Sequence, residues 1–293
     1  MIQLFRILWA VAKRVGPSKI GVIAAGIAFY ALLAVFPAIT AVIALAGLFI
    51  APEAVVAQFE TITRFVPEEA ATILIDEASK VAGAGDDGLT LAVALGIGFA
   101  VYLSTRATTA LIFGLNAVHD RDENRGFFRF WGVVILLTTA LVFGVALMFV
   151  LLVVAPTVLA FLPEEVIPGT TAEAVRAVRW IILGALLLFG LSVLYRFGPT
   201  GRSDGAVRAP RKWRWVTAGS ALAAALWIAG SFGFSLYVTH FANYNASFGS
   251  LAGVIILLTW LWLSAFVILL GALLDVEVRR SLSDSVVPAE DEP

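Results

Sequence analysis

Long apolar runs alternate with short polar breaks along this chain, and the length of the runs predicts helices rather than strands. Six of them reach or approach the roughly 20 residues that a helix needs to cross about 30 Å of hydrocarbon. They cover 20–50, 89–117, 131–161, 177–197, 215–239 and 248–276. Several are longer than a straight crossing requires, so tilt or kinks are expected. Two segments between or before these runs also follow helical spacing. In 1–19, Leu4, Ile7, Leu8, Val11 and Val15 share one face while Arg6, Lys13 and Arg14 lie elsewhere. That pattern predicts a basic amphipathic arm on the membrane surface, anchored by Trp9 and ended by Gly16-Pro17. In 51–88, apolar positions recur after Pro52 and again after Pro67, which predicts an amphipathic helical hairpin closed by GAGDDG (83–88). The acidic end, SVVPAEDEP, predicts a disordered tail over 281–293. The fold expected is all-α: one polytopic membrane bundle over 1–293.

Composition places the runs in lipid. The chain is 60% hydrophobic and 14% charged, with mean hydropathy +0.95. An ordinary soluble domain holds about 45–50% apolar and roughly 25% charged residues. Charge then sets the topology. The arm, the loops at 118–130 and 196–214 and the tail carry fifteen of the twenty Lys and Arg residues. By the positive-inside rule both termini are expected to be cytoplasmic and the 51–88 hairpin to lie on the outer side. An even number of crossings requires the same answer. The first run is far longer than a signal-peptide core, so it is expected to stay as a span.

The same composition narrows the chemistry. A net charge of −1 leaves no electrostatic footprint for nucleic acid. With no cysteine, disulfides, thiolate metal sites and cysteine catalysis are excluded, and His119 and His240 leave little for zinc. No metal or other cofactor is expected. The only dense acidic candidate on the cytoplasmic side is HDRDEN (119–124), whose acids alternate with Arg121 and precede Arg125, as in a solvated loop between helices.

Polar residues inside the apolar runs are the candidate sites. Arg106 sits in STRATT (104–109), seventeen residues beyond Leu89. Either it snorkels at the inner boundary, or it lies near mid-depth and faces a wet cavity. Ser104, Thr105, Thr108 and Thr109 supply hydroxyls around it. Asp275 and Glu277 near the end of the last span are candidate counter-ions, and a direct pair requires the shallow placement of Arg106. Pro37, in FYALLAVFPAITA (29–41), kinks or breaks the first span. In NYNASFGS (243–250), Asn243, Tyr244 and Asn245 form either an interfacial turn or an outer gate.

Two of these stretches carry a family resemblance. AFYALLAVFPAITAVIALAGLF (28–49), which includes Tyr30, is similar to the first-span motif of the YihY/BrkB family of bacterial inner-membrane proteins. SLYVTHFANYNASFGSLAGVIILLTWLWLSAFVILLGALLDVEVRR (235–280) resembles its C-terminal signature, and 196–227 matches in order and spacing. The signature usually ends in Gly-Ala-Glu-Leu-Asn-x-Glu. Here Leu273 stands for the first Glu and Asp275 for the Asn. The resemblance implies six spans with cytoplasmic ends in the inner membrane. Some members have carried a ribonuclease label, and others are linked to serum resistance or suspected of moving lipids.

Three function classes can be weighed on these residues. A nuclease needs metal-binding acids or a base–nucleophile pair beside a basic surface, and no second acidic cluster joins HDRDEN. The chain is therefore expected not to be an enzyme. A transporter or translocator of lipid or another amphiphilic anion fits better, through a polar cavity in the bundle. Its candidate substrate-binding residues are Arg106, Ser104, Thr105, Tyr30, Pro37 and Asp275, with Asn243, Tyr244 and Asn245 as an outer gate. The alternative is a non-transporting scaffold for envelope machinery. Membrane lipids are the expected partners, with envelope proteins as further ones.

Overall fold

Apolar length decides where the helices run. The computed structural model describes residues 2–47, 86–149, 151, 169–201, 216–241 and 251–284. They form α1 (Ile2–Val15), α2 (Ile20–Gly47), α3 (Asp86–Val118), α4 (Phe127–Phe149), α5 (Gly169–Phe197), α6 (Ala218–Phe241) and α7 (Ala252–Asp284). No strand occurs among the described residues. Among the described residues, five helices are long and apolar enough to cross a membrane: α3 over Ala94–Val118, α4 over Phe127–Val145, α5 over Val178–Phe197, α6 over Ala218–Val238 and α7 over Ala252–Ser281. A sixth crossing is reached when Phe5–Val15 and Ile20–Val35 are taken together, bent by 66° at the break between them. The 51–85 part of the expected hairpin, Asn243, Tyr244 and Asn245, and the tail beyond Asp284 lie outside the described residues.

Two boundaries differ from the sequence expectation. Asp86, Asp87 and Gly88 open α3 rather than ending a turn. Pro37 lies inside α2, which continues as helix on both sides of it, so the first span is not broken there. α7 runs on to Asp284 instead of stopping near 276, because the carboxylates that end the apolar run are paired inside the fold.

Packing divides the chain into two compact units, and α2, α3, α6 and α7 contribute residues to both. One unit comprises 22–111 and 229–265. In it Trp260 donates its indole N–H to Ser231 Oγ at 3.2 Å, and Leu263 packs 3.4 Å from where a side chain on Gly230 would begin. The other comprises 1–21, 112–228 and 266–293. Its core includes Ile20, Ile112, Leu115, Val118, Val134, Leu137, Leu194, Leu269 and Leu273, and α4 packs on α5. Every residue from Gly271 to Glu277 is buried, so the polar end of the C-terminal signature lies in the interior of this unit.

That burial rests on a close helix approach. A Cβ on Gly271 would fall 2.6 Å from the Gly219 carbonyl oxygen, 2.6 Å from the Tyr195 hydroxyl and 2.7 Å from Ala223 Cβ. A Cβ on Gly219 would collide with the Gly271 carbonyl. Only glycine lets the two backbones come this close. The N-terminus of α6 is capped on the spot. Ser220 N donates to Thr217 Oγ1 at 3.1 Å, Thr217 N donates to Ser220 Oγ at 3.0 Å, and Gly219 N donates to Asp275 Oδ1 at 2.7 Å. The first two bonds form a reciprocal cap of the capping-box kind. The third brings a carboxylate from α7 onto the positive end of α6.

Candidate functional site

The end of α3 is a tight C-terminal cap from which the polar cluster is built. Arg121 N donates to Asn116 O at 3.0 Å and Asp120 N to Ala117 O at 3.1 Å. Asp120 takes the left-handed conformation, φ 51°. This is the Schellman pattern, in which a reversed residue turns the last carbonyls back on themselves. Aspartate tolerates that conformation better than most residues, and here its carboxylate is also used. Arg14 donates to Asp120 Oδ2 at 2.6 Å and to Glu277 Oε1 at 2.6 Å, while Arg280 reaches the same two atoms at 2.8 and 3.4 Å. Two cations and two anions thus close a ring of alternating charge, joining α1, the end of α3 and the end of α7. Arg14 also donates to Val118 O.

A second polar knot lies beside it. Asn116 is buried; its Oδ1 accepts from Thr200 N at 2.7 Å and its Nδ2 donates to Glu123 Oε2 at 2.9 Å. Arg125 grips Glu123 through Nε and Nη2, both at 2.7 Å, and donates to the Gly198 and Phe197 carbonyls at 2.8 and 3.4 Å. Those are the open carbonyls at the end of α5, where a cation is favoured. Arg121 donates to Thr200 O at 2.6 Å. The Arg125 side chain is only 7% exposed. HDRDEN is thus a connection solvated in part, with Asp120, Asp122 and Asn124 exposed, in which Asp120, Arg121, Glu123 and the adjoining Arg125 hold three chain segments together.

The titration of this cluster follows from its burial. Burial lowers the His119 imidazole to a pKa of about 4, helped by the cations Arg121, Arg279 and Arg14 and opposed by the bond to the Leu115 carbonyl. The Nδ1–Leu115 O distance of 2.7 Å assigns the proton to Nδ1 in the neutral ring. Burial alone would raise Glu123, but its bonds from Arg125 and Asn116 outweigh that and hold it below the usual carboxylate range. Both shifts act in one direction. The unfolded imidazole takes up a proton first, near pH 6.5, so stability is lost as pH falls from there toward 4, by on the order of 3 kcal/mol. The Glu123 contribution is lost below its unfolded value. Thermal unfolding in detergent at pH 7.5, 6 and 5 should show this fall, and His119→Asn, which keeps a donor at the Nδ1 position, should flatten it above pH 5.

The described sequence-derived site residues make their hydrogen bonds and ring contacts with partners other than one another. Arg106 is exposed, donates to the Tyr102 hydroxyl at 3.0 Å and stacks 5.0 Å from the Tyr102 ring centroid. It has no carboxylate partner among the described residues. Thr105 Oγ1 donates to the Tyr102 carbonyl, Thr108 to that of Ser104 and Thr109 to that of Thr105, at 2.6, 2.9 and 2.7 Å. These hydroxyls are spent on their own helix. Tyr30 meets Phe29 edge-on, and Pro37 is half-buried within α2. Asp275 caps Gly219 and Glu277 holds Arg14, so neither serves as counter-ion to Arg106. Arg106 lies within the candidate span Ala94–Val118. Phe99 and Tyr102, exposed at helical spacing before it, share its face.

Among the described residues, no group of three or more His, Asp or Glu is placed to hold a metal ion. Sequence reasoning missed Arg14, Asn116 and Gly219 as site-forming residues. A buried asparagine within the apolar stretch IFGLNAV (112–118) was the one available signal for Asn116; nothing local marks Arg14 as the partner of a residue far along the chain.

Comparison with known proteins agrees with this membrane architecture. The profile of the family described as virulence factor BrkB matches residues 11–292. A Bacillus subtilis protein described as ribonuclease-like, YfkH, is 29% identical over 89% of this chain and 91% of its own length. The membrane protein YihY of Escherichia coli O1:K1, of the group UPF0761, is 35% identical over 37% of this chain and 36% of its own. A UPF0761 membrane protein of Tolumonas auensis is 43% identical over 21% of this chain and 20% of its own. No solved structure matches the chain. With the family profile covering nearly its whole length and apolar helices running through it, the chain belongs to the BrkB family of membrane proteins.

Proposed function

We propose that this protein is a non-enzymatic translocator of lipid or another amphiphilic anion in the bacterial inner membrane. In this reading α2 to α7 make six crossings with both termini in the cytoplasm, as the Lys and Arg distribution favours. The observation that carries it is Arg106: a guanidinium within a candidate span, in this reading at mid-depth, exposed and without a described carboxylate partner. A charge at that depth costs several kcal/mol unless something compensates it. A phosphate or carboxylate headgroup is the counter-ion whose geometry a guanidinium matches. Because Arg106 lies on an exposed face of α3, the headgroup is held on that face beside Tyr102 rather than in a polar interior. The Tyr102 hydroxyl and ring orient the guanidinium. The ribonuclease-like description of the Bacillus relative has no counterpart in the polar cluster, whose acids are bound to arginines.

The reading is tested by magnetisation transfer between ¹⁵N-labelled arginine and lipid ³¹P in reconstituted membranes. A guanidinium–phosphate contact that disappears in Arg106→Leu is the expected result. Identical spectra for the two proteins would remove the headgroup from Arg106. A scaffold for envelope machinery is the second reading, favoured by the extent of the ion-pair ring and polar knot, which hold the loop after α3 and the end of α7 in fixed positions.

A further inference from the structure

α1 has two different faces, and the structure uses the one that the sequence pattern had assigned to lipid. Val11 is buried, Ile7 and Val15 are half-buried, and Arg14 reaches Glu277 and Asp120 in the ion-pair ring. The face built on Val11 therefore packs on the protein. Away from Val11 the helix is left open: Phe5 is 71% exposed and Trp9 57%, with Leu8 on the flank at 49%. Arg6 and Lys13 border these three, and Lys13 Nζ lies 5.4 Å from the Trp9 ring centroid. No acid occurs before Glu53 in the chain.

We propose that this outward face, formed by Phe5, Leu8, Trp9, Arg6 and Lys13, binds anionic phospholipid in the leaflet at the α1 end of the molecule. Two observations select that occupant. The apolar side chains include two exposed aromatics, Phe5 and Trp9, the composition that settles at the boundary between headgroups and acyl chains. The charged residues beside them, Arg6 and Lys13, are both cationic and complementary to phosphate. The ring through Arg14 fixes the rotation of α1 about its own axis, so the aromatic face is held outward instead of rolling onto the protein. The inference requires that the chain is a membrane protein and does not depend on Arg106 or on translocation.

The absence of cysteine gives a clean background for the test. A fluorophore on Leu8→Cys in the full-length protein, in vesicles of phosphatidylcholine and phosphatidylglycerol, is exposed to quencher-bearing forms of each lipid in turn. Quenching by the anionic lipid should exceed that by the zwitterionic one. The preference should drop by roughly five-fold for each cation removed, in Arg6→Gln and in Lys13→Gln. Both lie outside the ion-pair ring, and an unchanged melting temperature would show that the fold is kept. Equal quenching by the two lipids overturns the proposal. So does quenching by aqueous iodide in place of lipid, which would make the face a solvated one. Protection from every quencher overturns it too, since a protein surface would then cover α1.

Discussion

Gly271→Val should unseat α7 from α6, with a loss on the order of 3 kcal/mol or more, or failure to fold. The reason is backbone geometry. The first added carbon already lies 2.6 Å from the Gly219 carbonyl oxygen and from the Tyr195 hydroxyl. A main-chain carbonyl cannot swing aside as a side chain can, so the helices must separate. Separation would strip the Asp275 carboxylate from Gly219 N and leave a buried acceptor exposed to nothing. Gly219→Ala is expected to behave in the same way, because its Cβ meets the Gly271 carbonyl from the other side. Gly144→Ala is the matched control: nothing lies within 4 Å of that position, and alanine is the better helix former. Thermal unfolding of the detergent-solubilised proteins, followed by size-exclusion chromatography, separates the outcomes. Wild-type stability in Gly271→Val would mean that the helices are not in contact there.

The second large effect belongs to the ion-pair ring. Arg14→Ala leaves Glu277, whose side chain is 9% exposed, with only the longer contact to Arg280. Removing one partner of a buried pair typically costs about 3–5 kcal/mol, and Arg280 should reduce that to roughly 2–4. Asp120→Asn, which keeps a residue suited to the left-handed conformation, should cost under about 1 kcal/mol, since that carboxylate is 59% exposed and screened by solvent. The double substitution Arg14→Ala, Glu277→Ala should cost less than the sum of its parts by about 1–3 kcal/mol, the signature of a direct interaction. Additive losses would show that the two side chains do not meet.

How much of this was legible in the sequence depends on the range of the interaction. Helix positions follow from apolar length, so α3 to α7 fall close to their expected places. Ends were harder. Asp275, Glu277, Arg279 and Arg280 look like the exit from a membrane, yet α7 continues through them because its carboxylates find partners in other segments. A composition rule treats charges as exposed, and cannot see that Arg14 waits 263 positions away. The same limit hid the polar knot: HDRDEN has the make-up of a solvated loop until Asn116 and the end of α5 are brought beside it. α1 is a different case. Its helical periodicity matches the structure, but a helix with apolar residues on two faces has no unique inward side, and the Arg14 contacts decide it. For Arg106, spacing left the depth open between two values, and the direction of the side chain needed coordinates.

Translocation itself is the measurement that bears most directly on the proposed function. The protein is reconstituted into vesicles holding fluorescent-headgroup lipids, anionic in one set and neutral in another, beside Arg106→Leu and an unrelated membrane protein. The account predicts movement of the anionic lipid by the wild type alone. It also predicts a fall on the order of ten-fold or more in Arg106→Leu, the scale of losing one charge-assisted hydrogen-bonded headgroup, with the melting temperature unchanged. Movement that is equal in wild type and Arg106→Leu would contradict the assignment of Arg106. No movement of any lipid, with or without an ion gradient, would contradict translocation and leave the scaffold reading.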